Sequence, residues 1–246
     1  MQRYFTAHFN ITTNSASLIG DDFHHIKNVM RSKVNDTIIV CDLNGNCYSS
    51  LIENITANEV HVRLTEQLPN YELNVKVDLA QSLIRREKFE YVLQKATELG
   101  VYQIIPLNAK HSIIQLESKK QDKKMERWNK ITKEASEQSH RNHLVTVSNI
   151  VEGVRNLPFH VYDSILVAYE KEHLSTHLRT ELKAKPQRIL LLVGPEGGFH
   201  TTEIDFLSTI ENVKFVGLGK RILRSETASS FLLSTITYEY EMDDES

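Results

Sequence analysis

Arg188-Ile189-Leu190-Leu191-Leu192-Val193-Gly194-Pro195-Glu196-Gly197-Gly198-Phe199 sets the architecture of this 246-residue chain. The apolar run Ile189–Val193 is too short for a buried helix and reads as a strand covered on both faces, the habit of a parallel sheet. It ends in a glycine-containing segment. A second buried-type run, Val213–Gly217, leads into Gly217-Leu218-Gly219-Lys220-Arg221-Ile222-Leu223-Arg224-Ser225-Glu226-Thr227-Ala228. Glycine lets main chain approach a ligand with no Cβ in the way. In parallel sheets ligands collect at the carboxyl ends of the strands, where both segments sit. Two such loops imply a ligand wrapped in main chain.

Working outward, strands and helices alternate from Asn74 onward. Val75–Ala80, Val101–Leu107 and Ser164–Ala168 read as strands. Lys88–Leu99 reads as a helix with the stripe Phe89, Val92, Leu93, Ala96 and Leu99, stopped by Gly100. Lys119–Arg141 reads as a long helix with Met125, Trp128, Ile131 and Ala135 on its core face and Glu134, Gln138 and Arg141 on another. Thr201–Ile210 and Glu226–Tyr240 read as helices, and the acidic end from Glu239 to Ser246 as a frayed tail. Before residue 70 the pattern is strand-like: Thr37–Asp42, an Asn44-Gly45-Asn46 turn and Cys47–Ile52 form a hairpin, and Glu59–Leu64 adds a strand. A short amphipathic helix precedes them, with Asp22 as cap, Phe23, Ile26, Val29 and Met30 inward, and His25, Lys27, Asn28 and Arg31 outward. The expected division is a small β-rich domain over residues 1–70, a linker near Gln67–Asn70, and an α/β domain over residues 71–246.

Composition narrows the function. With 25% charged and 40% hydrophobic residues the chain reads as soluble and globular, with no apolar stretch long enough for a membrane span or a secretory signal. The opening Met1–Phe5 reads as a mature cytoplasmic N-terminus. Two cysteines, Cys41 and Cys47, are too few for a disulfide framework and are expected as free thiols in a reducing compartment; no metal set accompanies them. A net charge of −3 excludes broad, sequence-blind attraction to polyanions, so any nucleic acid must meet a local patch. Residues 1–33 offer one, with Arg3, Lys27, Arg31 and Lys33 against Asp21 and Asp22. Neither glycine segment is a P-loop, which needs Gly-Lys-Ser/Thr, and Gly217-Leu218-Gly219 lacks the third glycine of a dinucleotide fingerprint. A small organic ligand held by backbone groups remains.

Four motifs in order carry a specific resemblance: Gln94-Lys95-Ala96-Thr97-Glu98-Leu99-Gly100, Glu134-Ala135-Ser136-Glu137-Gln138-Ser139-His140-Arg141, Gly194-Pro195-Glu196-Gly197-Gly198, and Leu218–Ala228. Together with Arg3-Tyr4-Phe5 and His24–Arg31 they closely resemble the RsmE family, 16S ribosomal RNA uridine-N3 methyltransferases of the SPOUT superfamily. Departures are Ser225 where Thr is usual and His140 where a small residue is usual. The resemblance implies an α/β domain with a C-terminal trefoil knot, S-adenosyl-L-methionine as cofactor, a PUA-like RNA-binding domain, a homodimer, and 16S rRNA of the small subunit as partner. It places Leu192, Gly194, Glu196, Gly197, Gly198, Leu218, Gly219, Ile222 and Leu223 around the cofactor. Arg3, His25, Lys27, Arg31, Lys95, Gln138 and Arg141 are the expected RNA contacts, with Lys95, Glu98, Gln138 and Arg141 expected to face the same cleft.

Methyl transfer to uracil N3 needs no metal, but the weakly acidic N3–H must be removed before the lone pair attacks. Arg224 is the expected stabiliser of the resulting anion, a service worth roughly 3 kcal/mol. Glu196 and Glu226 are the candidate proton acceptors. Two other readings share these residues: a SPOUT enzyme acting on another RNA such as tRNA, and a non-catalytic RNA-binding assembly factor. The intact glycines 194, 197, 198 and 219 count against the last.

Overall fold

Alternating apolar and polar residues near the N-terminus pair into a six-stranded sheet built from β1 (Arg3–Phe5), β2 (Phe9–Asn10), β3 (Ser15–Ile19), β4 (Thr37–Cys41), β5 (Cys47–Ile55) and β6 (Glu59–Gln67). Their order is β1-β4-β5-β6-β3-β2, with β1 and β4 parallel and the other neighbours antiparallel. In the computed structural model, which describes residues 1–112, 121–169 and 178–241, this sheet belongs to a unit formed by Met1–Glu72 together with Ser136–Leu144. The first unit thus takes in a segment downstream of residue 70. Leu18, Ile26, Val40, Ile52, Val60 and Val62 make its core.

Cys41 and Cys47 are not free: they form a disulfide. They face each other directly in the β4–β5 register, a relation that counting cysteines overlooks. The helix expected over residues 22–31 also differs. α1 spans Gly20–His24 with Ile19 at its N-cap and no side-chain cap, and the chain continues as a π turn over His25–Val29. The wider π turn shifts the later residues around the axis, so Ile26 is buried while Val29 and Met30 are 58% and 43% exposed.

The second unit, Leu73–Ala135 with Val145–Ser246, contains β7 (Lys76–Ser82), α2 (Arg86–Glu98), β8 (Gln103–Asn108), most of α3 (Gln121–Gln138), β9 (Thr146–Val147), β10 (Val151–Glu152), β11 (Ser164–Ala168), α4 (Leu178–Leu182), β12 (Arg188–Val193), α5 (Thr201–Leu207), β13 (Val213–Val216) and α6 (Ser225–Glu241). The sheet order is β10-β8-β7-β12-β11-β13, with β9 also on β8, and every pairing is parallel. Continuous apolar strands pack on both faces, as at Ile189, Leu190, Leu191 and Leu192, all fully buried. On one face Phe89 of α2 lies against Trp128 with ring centroids 4.7 Å apart. Such buried side chains stabilise by about 1.5–3 kcal/mol each. After β13 at the sheet edge, α6 returns to pack on α2 and β12, which brings the two glycine segments together. Residues 119–120 of the expected long helix and 242–246 of the expected tail lie outside the described residues; Glu239–Glu241 are helical.

Toward the amino ends of the strands, buried Asp78 accepts hydrogen bonds from Tyr162 Oη at 2.8 Å and Arg188 at 2.9 Å. The Asp78 bond raises the Arg188 pKa, and burial followed by the Asp78 charge raises that of Tyr162. This lock joins β7 to β12, leaving the carboxyl ends for the ligand.

Candidate active site

At those carboxyl ends a cleft of about 400 Å³ is lined by Ala168 at the end of β11 and Tyr169 beyond it, by Val193 at the end of β12 and residues 194–199 beyond it, by residues 217–224 after β13, and by Ser225 and Ala228 of α6. Its volume falls within the roughly 300–1,000 Å³ of small-molecule sites. Its walls are apolar side chains such as Val193, Leu218, Ile222 and Leu223, interleaved with main chain. The glycines are there for stated reasons. A Cβ on Gly194 would lie 3.3 Å from the Phe199 ring and 3.4 Å from the Gly198 carbonyl carbon. Gly198 and Gly219 adopt φ of 70° and 100°, which side chains rarely tolerate. Gly197 is outside that region, and a Cβ there would make only ordinary contact with His111 at 3.6 Å. His111 Nδ1 in turn lies 3.1 Å from the Gly198 carbonyl and supports the loop from outside the cleft.

The sequence-derived cofactor residues converge here with one exception. Gly194, Glu196, Gly197, Gly198, Leu218, Gly219, Ile222 and Leu223 all line the cleft, whereas Leu192 is fully buried in the core and does not. The side chain of Leu192 packs into the sheet, and Val193, next along the strand, is the one that reaches the cleft.

Of the three catalytic candidates, Arg224 lines the cleft, is exposed, and forms no ion pair among the described residues. Its carbonyl accepts the Ala228 amide at the start of α6. Glu196 also lines the cleft, but Glu226 does not. Both carboxylates are held by Lys88 of α2, at 3.3 Å and 3.4 Å. Lys88 carries no signal in the sequence, because its partners are more than a hundred residues away.

Gln81 is a second residue that sequence reasoning missed. Fully buried at the end of β7, it donates to Ser225 Oγ at 2.9 Å and accepts from Ser229, while Ser225 Oγ donates to the Gly194 carbonyl at 2.7 Å. One amide and two hydroxyls thereby tie β7, the first glycine loop and α6 together. The available signal was three polar residues, Asp78, Gln81 and Ser82, among the apolar Val77, Leu79 and Ala80; all three are fully buried.

The expected RNA contacts divide. Lys27 and Arg31 are exposed on the first unit, as is Lys33 of the same basic patch; Lys27 Nζ lies 4.9 Å over the Phe23 ring. His25 is half-buried, its Nδ1 2.9 Å from Tyr4 Oη. Arg3 is only 5% exposed, and its guanidinium donates to the carbonyls of His140 and Arg141. Burial lowers the Arg3 pKa, against the opposing charge of Glu72. Arg141 is 8% exposed and forms a forked ion pair with Glu72, which also accepts the Asn142 and His143 amides. Burial by itself would raise the Glu72 carboxyl; the Arg141 hydrogen bonds and charge, with the two amides, outweigh it and hold the pKa below its ordinary value. Arg3 and Arg141 are therefore structural cations, a correction to the sequence reading, which counted charge without knowing burial. Lys95 pairs with Glu98 one turn along α2 at 2.9 Å, and Gln138 is exposed at the end of α3; none of Lys95, Glu98, Gln138 and Arg141 lines the cleft.

Comparison with known proteins agrees with this geometry. The family model described as RNA methyltransferase domain matches residues 71–237, and that described as RNA methyltransferase PUA domain matches residues 18–65. A Bacillus subtilis protein named ribosomal RNA small subunit methyltransferase E is 36% identical over 98% of each chain. A Rickettsia conorii protein of the same name is 32% identical over 84% of this chain and 82% of its own. A solved methyltransferase from Legionella pneumophila, in complex with the bound cofactor SAM, is 28% identical, with a TM-score of 0.83 over 96% of this chain and 97% of that one. The chain belongs to the ribosomal RNA small subunit methyltransferase E family, with its α/β SPOUT methyltransferase fold and PUA-like β domain.

Proposed function

We propose that the protein transfers a methyl group from S-adenosylmethionine to N3 of one uridine in 16S ribosomal RNA of the small subunit. The observation that carries this reading is the cleft enclosed by two glycine loops, in a chain of this family. The residues present fit the cofactor: Gly194 and Gly198 leave a cradle that a Cβ would fill or strain, and Val193, Leu218 and Leu223 offer apolar walls. Gly194, Glu196, Gly197, Gly198, Leu218, Gly219, Ile222 and Leu223 would hold it. When bound, it supplies an electrophilic methyl group on a sulfonium.

The chain's own residues handle the nucleobase. Arg224 at the cleft carries a fixed charge and planar fork, suited to the anion that forms when N3 loses its proton. Glu196 is the carboxylate in the cleft wall and the proton acceptor; Glu226 shares its Lys88 partner and stays outside the cleft lining. Lys27, Arg31 and Lys33 on the PUA-like unit supply phosphate contacts that orient the RNA without reading its sequence. Pairing of two copies is expected of the family, and Phe231 of α6, 44% exposed, is an apolar side chain open to such a contact. No described helix is long and apolar enough to cross a membrane, in keeping with action on ribosomal subunits in the cytoplasm.

Incubation with methyl-labelled S-adenosylmethionine and unmodified small subunits tests the reading. Label should enter 16S rRNA and not tRNA. Label in tRNA alone would favour a different RNA substrate, and no transfer would leave an assembly factor.

A further inference from the structure

Lys88 places one ammonium between two carboxylates of separate origin: Nζ is 3.3 Å from Glu196 Oε1 in the first glycine loop and 3.4 Å from Glu226 Oε1 in the first turn of α6. The three side chains are only 28%, 29% and 15% exposed, so solvent screens these pairs incompletely. Glu226 Oε2 is buried and has no hydrogen-bond partner among the described residues. Glu196 lines the cleft and the other two do not. The cations that line the cleft, Lys220, Arg221 and Arg224, are exposed and sit on the second loop.

We propose that Lys88 is a positioning residue for methyl transfer: it clamps Glu196 into the cleft wall against the repulsion of Glu226. This rests on the reading that the cleft binds S-adenosylmethionine. Two partly buried carboxylates within reach of one ammonium repel each other once it is removed, and the freer one swings toward water. Glu196, on a loop, is the freer of the two, since Glu226 is fixed in a helix. Losing Lys88 therefore displaces the loop that carries Gly197 and Gly198. With Lys88 present the trio carries a net single negative charge, complementary to a sulfonium ligand, and that charge is spread over two fixed elements.

The test is a set of purified full-length variants, Lys88→Met, Lys88→Gln, Lys88→Arg, Glu226→Gln and Lys88→Met/Glu226→Gln. Each is measured for S-adenosylmethionine affinity by calorimetry, for single-turnover methylation of small subunits, and for its urea midpoint. Lys88→Met and Lys88→Gln should bind about tenfold more weakly, the scale of breaking a partly buried charge pair, and turn over more slowly at saturating cofactor. Lys88→Arg, which still reaches both carboxylates, should recover most of both losses. The deciding comparison is the double variant: neutralising Glu226 removes the repulsion, so affinity should rise above that of Lys88→Met. A residue that merely staples the fold would produce no such recovery. Wild-type affinity in Lys88→Met or Lys88→Gln, or a double variant no tighter than Lys88→Met, would overturn the proposal. A wild-type protein that binds no S-adenosylmethionine would instead strike the cofactor reading itself.

Discussion

Removing one oxygen atom at Ser225 tests how the cleft is held together. Ser225 is 6% exposed, and its hydroxyl spans two elements, accepting from Gln81 Nε2 at 2.9 Å and donating to the Gly194 carbonyl at 2.7 Å. In Ser225→Ala both bonds vanish with little change in volume. Gln81 keeps a bond to the Ser82 carbonyl at 3.0 Å and its contact with Ser229, so most of the loss falls on the Gly194 carbonyl. Leaving this half-buried acceptor without its partner costs about 1 kcal/mol, and somewhat more if water cannot replace the hydroxyl. Part of that should appear in the urea midpoint. The rest should appear in cofactor binding, because Gly194 opens the loop that forms one wall; about 1.4 kcal/mol corresponds to tenfold weaker affinity, so the loss in binding should stay below tenfold. Ser225→Thr retains the hydroxyl and should stay within about twofold of wild type on the same scale. Calorimetric titration and urea unfolding of the three proteins decide it. If Ser225→Ala matches wild type in both, the hydroxyl does not anchor the loop and the argument from the Gln81 network fails.

Gly219 has φ of 100°, and a Cβ added there would meet nothing within 4 Å, so Gly219→Ala isolates backbone strain from crowding. It should cost about 1–2 kcal/mol, read as weaker cofactor binding, and unchanged affinity would remove the conformational argument. Arg224→Lys keeps a charge and loses the fork, so single-turnover methylation should slow with little change in cofactor affinity. The deficit should narrow as pH rises and uridine ionises unaided; parallel pH profiles would make Arg224 structural. Arg31→Ala should weaken RNA binding and reduce the salt slope by about 1, whereas Arg3→Ala should leave the slope alone and lower stability by about 1–3 kcal/mol. The reverse pattern would refute the burial argument. Glu72 has a depressed folded pKa, so its contribution is fully present above the ordinary value of 4.5 and is lost as pH falls through the lowered one. Wild-type stability should accordingly fall more steeply below pH ~5 than that of Glu72→Gln, and coincident urea midpoints across that range would contradict the linkage.

The sheet that carries the site was readable because its strands are continuous apolar runs: Ser164–Ala168 and Arg188–Val193 form strands with those bounds. The cleft followed from the loops that end the runs. What sequence could not show depends on partners distant along the chain. Gln81 meets Ser225 and Lys88 meets Glu226 only after α6 has folded back, and no local pattern marks either pair. Arg3 and Arg141 read as surface charge because patterning counts cations, not the carbonyls and carboxylate that absorb them. The π turn over His25–Val29 escaped because spacing of three and four residues presupposes α geometry. His140 is a related case: it sits at φ 57° just past the end of α3, where the Arg141 amide reaches back to the Ser136 carbonyl. That left-handed position favours glycine, which gives a physical reason for a small residue there.

The position of the transferred methyl tests the central claim most directly. Small subunits lacking the modification are incubated with the protein and S-adenosylmethionine, and the 16S rRNA is digested to nucleosides for mass spectrometry against methyluridine standards. The account predicts N3-methyluridine at one site, visible also as a stop to reverse transcription because N3 methylation blocks the Watson–Crick edge, and its loss in Gly198→Val. Methyl groups on uracil C5 or on ribose, or no methylated uridine with a cofactor-binding protein, would contradict it.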